Sequence, residues 1–285
     1  MKTIFGKFLK THKWCISGAS IAGYSHIKKN LDKQDWIDWY PQKRPSDKFV
    51  LVLADGHGSE VCFRSSVGSK LATEAAIEVS KPYITRKRRI SKLLRNKKTR
   101  DGFLTKIKEL WIKKISEYND RTPFTDNELV IYKKHEKRLI HHLETAYGTT
   151  LLLLLCCKGV LCYFQIGDGD LLFIKNSKVY SPIQKQQELI ANETYSLSND
   201  RFIEHCVFYS EQKVYPSLIL ISTDGYANSF STQEDFFKVG SDLFEILKSK
   251  GIDFIQKSLP LWLEETSKHG SGDDITMGLV YDFRL

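Results

Sequence analysis

The sequence predicts an α+β fold in which two sheets lie between layers of helices. Short apolar runs rich in β-branched and aromatic residues occur in blocks, separated by longer segments with helical periodicity, in the order strands, helices, strands, helices, strand. Glycine-containing stops close several of these runs. No repeat, low-complexity tract or linker-like break divides the 285 residues, and 41% of them are hydrophobic, enough for a sizeable core. The expected organisation is one domain over residues 1–285.

Residues 14–17 and 49–54 are β-prone, and the second run stops at Asp55-Gly56-His57-Gly58. Val67, Leu71 and Ala75, with Ala72, Ala76 and Val79 beside them, mark a helix. Phe103, Ile107, Leu110, Trp111, Ile115 and Tyr118 form a second helical stripe. Leu129, Tyr132, Leu139, Leu143 and Ala146 predict another long helix after the Thr122-Pro123 turn. From Thr149 the pattern changes to strands: TTLLLLLCC, VLCYFQI and LLFI, divided by Lys158-Gly159 and Gly167-Asp168-Gly169-Asp170. Residues 180–212 are polar and irregular and read as a flap-like segment. Residues 218–223 form a strand closed by Asp224-Gly225. Helices are expected near 232–249 and 252–267, the second bent at Pro260, before a last strand at 275–281.

The formal net charge is +9, and its origin is local. Residues 85–114 carry thirteen Lys and Arg against Asp101 and Glu109, so the rest of the chain is close to neutral. A basic helical insertion around residues 85–125 is expected here, largely solvated. It could dock an acidic partner, but its most basic part, 86–100, has almost no aromatics for base stacking, which argues against nucleic acid. No run approaches the roughly 20 apolar residues that cross a bilayer. The N-terminal MKTIFGKFLKTHKW has basic residues within its apolar positions, unlike a secretory signal, so the expectation is a cytoplasmic protein. Six cysteines without CxxC spacing read as reduced structural thiols.

The informative residues are carboxylates at strand margins. Asp55 follows FVLVLA, Asp168 follows CYFQI-Gly, and Asp224 follows LILIST. Asp273 precedes ITMGLVY, and Asp35 opens QDWIDWY. A single Asp-Gly is equally a turn dipeptide, but five strand-end carboxylates brought together would need neutralising. Oxygen-only donors suit magnesium or manganese. Two such ions about 4 Å apart can share a water, lower its pKa and hold a phosphoryl group for in-line attack.

The order of motifs resembles the metal-dependent type-2C protein serine/threonine phosphatases, their bacterial branch in particular. The motifs are SGASIAGYSHIKKNLDKQD, LADGHG, AYGTTLLLLL, QIGDGDLLF, NETYSL, ISTDGY and SGDDIT, from about Gly18 to Val280. The resemblance implies a four-layer α-β-β-α sandwich with two central, mostly antiparallel sheets. It implies hydrolysis of phosphoserine and phosphothreonine on proteins, with a cognate Ser/Thr kinase as a counterpart. Asp55 would bridge two divalent cations, with the Gly56 carbonyl as a further ligand. Asp35, Asp224 and Asp273 match other metal ligands, and Asp168 matches the acidic residue of a third, weaker site. His57 matches a general acid, or a turn histidine that orients Asp55. His26 reads as structural, and Asp274 as tuning the local field.

Asn30 stands where many members carry a phosphate-gripping Arg, leaving Lys28, Lys29 and Lys33 as candidate phosphate-binding residues. That departure keeps open a catalytically weak scaffold that binds a partner protein.

Overall fold

The computed structural model describes residues 12–42, 45–175, 177–183, 195–213 and 215–284. Its strands in chain order are β1 (Trp14–Ile21), β2 (Trp36–Tyr40), β3 (Lys48–Ala54), β4 (Leu151–Cys157), β5 (Val160–Ile166), β6 (Asp170–Lys175), β7 (Lys178–Tyr180), β8 (Val207–Gln212), β9 (Leu218–Ser222) and β10 (Ile275–Asp282). The helices are α1 (Tyr24–Lys28), α2 (Ser65–Ile84), α3 (Lys87–Arg95), α4 (Lys97–Arg121), α5 (Asp126–Lys134), α6 (Glu136–Leu139), α7 (Asp224–Ala227), α8 (Gln233–Lys250) and α9 (Ile252–His269).

The apolar run after Thr149 shows no alternation because both faces of its strand are buried. Leu151, Leu153 and Leu155 on β4 join Val50, Val52 and Ala54 on β3 in a core beneath α2, α3 and α4. Leu152, Leu154 and Cys156 face the other way, meeting Ile219 and Ile221 of β9 between the sheets. On β9, Leu218 and Leu220 point outward into a third core with Leu243, Leu247, Leu259 and Leu263 of α8 and α9. Three apolar seams thus separate four layers. One sheet has the order β1-β10-β9-β6-β7 and the other β2-β3-β4-β5-β8. Every pairing is antiparallel, so the structure is the expected α-β-β-α sandwich.

Three local expectations change. The basic segment is not a solvated excursion: Ile90 and Leu93 of α3 and Phe103, Ile107, Trp111 and Ile115 of α4 are buried. The Trp111 indole N–H donates to the Gly68 carbonyl at 3.0 Å. Apolar residues among the charges therefore build one face of the outer helical layer. The single long helix expected over 129–146 is broken into α5, α6 and a 3₁₀ turn at Leu143–Tyr147. A capping box at Thr125 and Glu128 starts α5. Beyond α6 the chain must pass under α2, where a Cβ on Gly68 would come within 1.9 Å of the Tyr147 carbonyl oxygen. Finally, the flap-like segment ends in strand β8, which pairs antiparallel with β5. Its residues 184–194, the NET of NETYSL among them, lie outside the described residues, as do residues 1–11 at the N-terminus. All six cysteines are free thiols.

One polar cluster ties the α2, α4 and α5 segments together. Arg64, only 5% exposed, donates from Nε and Nη2 to the two Glu128 carboxylate oxygens at 2.7 and 2.8 Å. Its remaining N–H groups reach Asn119 Oδ1, the Thr122 carbonyl, the Tyr147 hydroxyl and the Pro123 carbonyl. The guanidinium also lies 4.5 Å from the centre of the Phe124 ring. Its hydrogen bonds hold the Glu128 carboxyl down at about 2. A depressed carboxyl stabilises the fold above its unfolded pKa of about 4.3, and that contribution fades as pH falls through about 2. Arg64→Met should lower unfolding free energy by about 3–5 kcal/mol in urea titration, because it strands the carboxylate and its neighbours. Arg64→Lys should recover little of this, since an ammonium cannot reproduce the planar fork.

Candidate active site

The turn after β3 is laced to the start of β4. The Asp55 N–H donates to Thr150 Oγ1 at 2.9 Å, and the Asp55 carbonyl accepts from the Thr150 N–H and the Thr149 hydroxyl, each at 2.8 Å. The His57 N–H donates to the Gly148 carbonyl at 3.0 Å. Gly56 is obligatory on packing grounds, since a Cβ there would sit 2.8 Å from the Ser65 carbonyl oxygen and 2.9 Å from that of Gln34. These contacts explain why LADGHG and AYGTT act as one unit although about a hundred residues separate them in sequence.

The opposite sheet brings its own acids. β9 and β10 are paired neighbours, so Asp224, which opens α7 just after β9, and Asp273, just before β10, come together at one cleft. A Cβ on Gly225 would fall 2.2 Å from the Asp274 carbonyl oxygen, which shows how closely the two segments pack. Asp168 sits in the β5–β6 turn between Gly167 and Gly169, whose φ values of 90° and 139° favour glycine. The result is one polar cleft of about 250 Å³, bounded by Asp55, Gly56 and His57 from one sheet and Asp168, Asp224 and Asp273 from the other side. Among the described residues, no Lys or Arg lines it.

Asp35 stands behind this cleft and is 1% exposed. Its Oδ2 accepts from the Thr223 hydroxyl at 2.8 Å, while buried Oδ1 has no hydrogen-bond partner among the described residues. Burial, then the nearby Asp274 charge, pushes the Asp35 carboxyl up to about 7. Burial and Asp168 push Asp224 to about 6. Asp55 is raised well above the ordinary range by burial, then by the charges of Asp35 and Asp224. Burial also raises Asp273. Such a cluster holds either protons or cations. Its carboxylates and an adjacent backbone carbonyl are hard oxygen donors, so the residues present fit magnesium or manganese.

Two residues have larger positional roles than the sequence reading allowed. Asp274, 4% exposed, accepts from the Gly23 N–H at 2.6 Å and from the Gln34 N–H at 2.5 Å. His26 Nδ1 lies 2.9 Å from Asp274 Oδ1, and its Nε2 lies 3.8 Å from Asp273 Oδ1. Asp274 thus clamps the SGASIAGYSH segment and the Asp35 segment to the final strand. The second Asp of SGDDIT was visible in sequence, but its partners lie about 240–250 residues away. The candidate phosphate lysines are placed otherwise than at the cleft wall. Lys33 Nζ donates to Ser20 Oγ at 2.9 Å, Lys28 Nζ lies 4.4 Å from the Tyr24 ring centre, and Lys29 follows at the end of α1. Asn30 adopts a positive φ of 53°.

The protein phosphatase 2C family model matches residues 22–264, most of the chain. The chain belongs to the protein phosphatase 2C family. Membership makes it a protein serine/threonine phosphatase by class. No curated protein sequence matches it. Among solved structures it is similar to a bacterial serine phosphatase, with TM-score 0.58, 13% identity, and coverage of 94% of this chain and 97% of that one. It is also similar to the S. agalactiae serine/threonine phosphatase, with TM-score 0.57, 16% identity, and 94% and 99% coverage. A third is the catalytic domain of the serine/threonine protein phosphatase PstP in complex with two manganese ions, with TM-score 0.56, 13% identity, and 95% and 99% coverage. At these identities the likeness shows the shared fold. Among the described residues no helix is long and apolar enough to cross a membrane.

The raised carboxyls have a consequence for the metal-free protein. A carboxyl whose folded pKa exceeds its unfolded value stabilises the fold at low pH and loses that contribution as pH rises through the folded value. Stability of the metal-free phosphatase should therefore fall between about pH 4 and pH 7 through Asp35 and Asp224. Asp35→Asn should raise its melting temperature near pH 7.5 and flatten this slope, an effect of at least about 1 kcal/mol, read by thermal unfolding in chelator.

Proposed function

We propose that this phosphatase hydrolyses phosphoserine and phosphothreonine on proteins with two divalent cations, magnesium or manganese, held by Asp35, Asp55, Asp224, Asp273 and the Gly56 carbonyl. Asp168 would hold a third, weaker ion. The observation that carries the reading is the cleft itself. Acidic groups from turns on both sheets converge there, Asp55 and Asp224 with raised carboxyls, and no Lys or Arg among the described residues lines it to meet a phosphate dianion. When bound, paired cations neutralise phosphoryl oxygens and acidify a shared water. The manganese pair in the PstP complex supports the same stoichiometry here.

The chain's own residues have separable tasks. Asp55, laced to Thr149 and Thr150, stays fixed relative to β3 and β4. Asp274 and His26 hold Asp273 and the Asp35 segment in register, a supporting arrangement that orients ligands. His57 lies at the cleft with Nε2 buried and without a hydrogen-bond partner among the described residues. It is assigned as proton donor to the leaving serine or threonine oxygen. Burial lowers its pKa, with Asp168 opposing that shift, which favours a second reading in which a neutral ring orients the Asp55-Gly56 turn. The phosphorylated substrate and a cognate kinase are the partners this reading supplies.

Turnover of a phosphothreonine peptide should require added manganese and fall more than about 100-fold in Asp55→Asn and Asp224→Asn. Metal binding without turnover in the folded wild type would leave a phosphatase-like scaffold, with Asn30 as its defect. For His57→Gln, a proton-donor role predicts a loss of about 100-fold on the peptide and far less on p-nitrophenyl phosphate, whose leaving group needs no proton. Equal losses on both substrates would assign His57 to orientation.

A further inference from the structure

The basic character of residues 85–114 is not uniform once it is folded. On α4, Lys97 pairs with Asp101, Lys108 with Asp200, Lys113 with Glu117, and Lys114 with Glu74 and Glu78. On α3, Ile90 and Leu93 anchor the helix in the core, while Lys87, Arg88, Lys92 and Arg95 are exposed and have no carboxylate partner among the described residues. These four cations line one groove of about 710 Å³, together with neutral hydrogen-bonding side chains that include Asn96 and Gln212. Among the described residues, no acidic side chain lines it.

Topology places this groove at the opposite end of the sandwich from the acidic cleft. Strand β4 begins at Leu151, beside Thr150 and Asp55, and ends at Cys157, which pairs with Val160 of β5. Gln212, the last residue of β8, is paired with Val160 at that same end. Seven residues of strand separate the two ends, roughly 20 Å. At about physiological ionic strength that exceeds two Debye lengths of about 8 Å, so solvent-exposed charge at one end is largely screened from the other.

We propose that the α3 groove is a docking site for an extended acidic segment of a partner polypeptide, remote from the acidic cleft. Charge complementarity selects the class of partner: four unpaired cations concentrated on one helix attract carboxylates, and the arginines can grip them bidentately. The amide side chains of Asn96 and Gln212 can meet a peptide backbone. Among the described residues no aromatic side chain lines the groove, which argues against the stacking surface that single-stranded nucleic acid uses. The proposal does not rest on the catalytic reading, because the groove shares no residue with the cleft.

The test is fluorescence anisotropy on the full chain at about 0.15 M salt. The probes are a fluorescein-labelled Glu-rich peptide and a single-stranded oligonucleotide of equal charge. One variant carries Arg88→Glu, Lys92→Glu and Arg95→Glu. A control with the same change in net charge carries Lys98→Glu, Lys106→Glu and Lys113→Glu. All six positions are exposed, and unfolding midpoints check that both variants fold. The expected result is peptide binding that weakens at least about tenfold in the groove variant and much less in the control. Three results would overturn the proposal: no binding of the peptide by the wild type, equal losses in both variants, or tighter binding of the oligonucleotide.

Discussion

Mutual repulsion among aspartates gathered at one end of the sandwich is the constraint on which the rest of the structure depends. Asp35 is almost wholly buried, and Asp55, Asp224 and Asp273 have carboxyls raised chiefly by burial. Left to themselves these groups would separate or take up protons. They stay together because each is fastened to backbone that cannot move independently. Asp55 follows a fully buried strand and is laced to Thr149 and Thr150, and Asp35 is held by the Thr223 hydroxyl.

The packing that supplies this rigidity is the three-seam sandwich. Strands β3, β4 and β9 bury both faces, so each contributes to two cores at once. The strands nearest the site therefore lie in the middle of the molecule, and the turns at their ends inherit their immobility. Glycine makes the last approach possible. At Gly56, Gly225 and Gly23 a side chain would collide with backbone of the neighbouring segment, so the glycines beside the aspartates serve packing at least as much as turn formation.

Charge is segregated between the two ends of β4. Acidic groups crowd the end where β3 stops and β4 starts, while unpaired cations of α3 gather where β4 ends. The net charge of +9 hides this division. Arg64, by contrast, is buried and engaged by its neighbours across the outer helical layer.

By itself the sequence determined the layer architecture and pointed to the aspartates proposed as metal ligands, for local physical reasons. Hydrophobic periodicity reports burial, and an acid placed directly after a buried strand has few directions in which to point. Motif order pointed to the family as well. Tertiary structure decided what depends on distant partners. The role of Asp274 comes from N–H groups at Gly23 and Gln34, and the broken path after α5 comes from close packing of Gly68 on Tyr147. The edge strand β8 was hidden because an edge needs little apolar sequence. The division of basic residues into paired and unpaired sets was legible only for the i,i+4 pairs Lys97–Asp101 and Lys113–Glu117; the rest depends on which helix face meets Glu74, Glu78 or Asp200. Local sequence carries burial and turn chemistry, whereas the pairing of polar groups far apart in the chain is settled only when the layers close on one another.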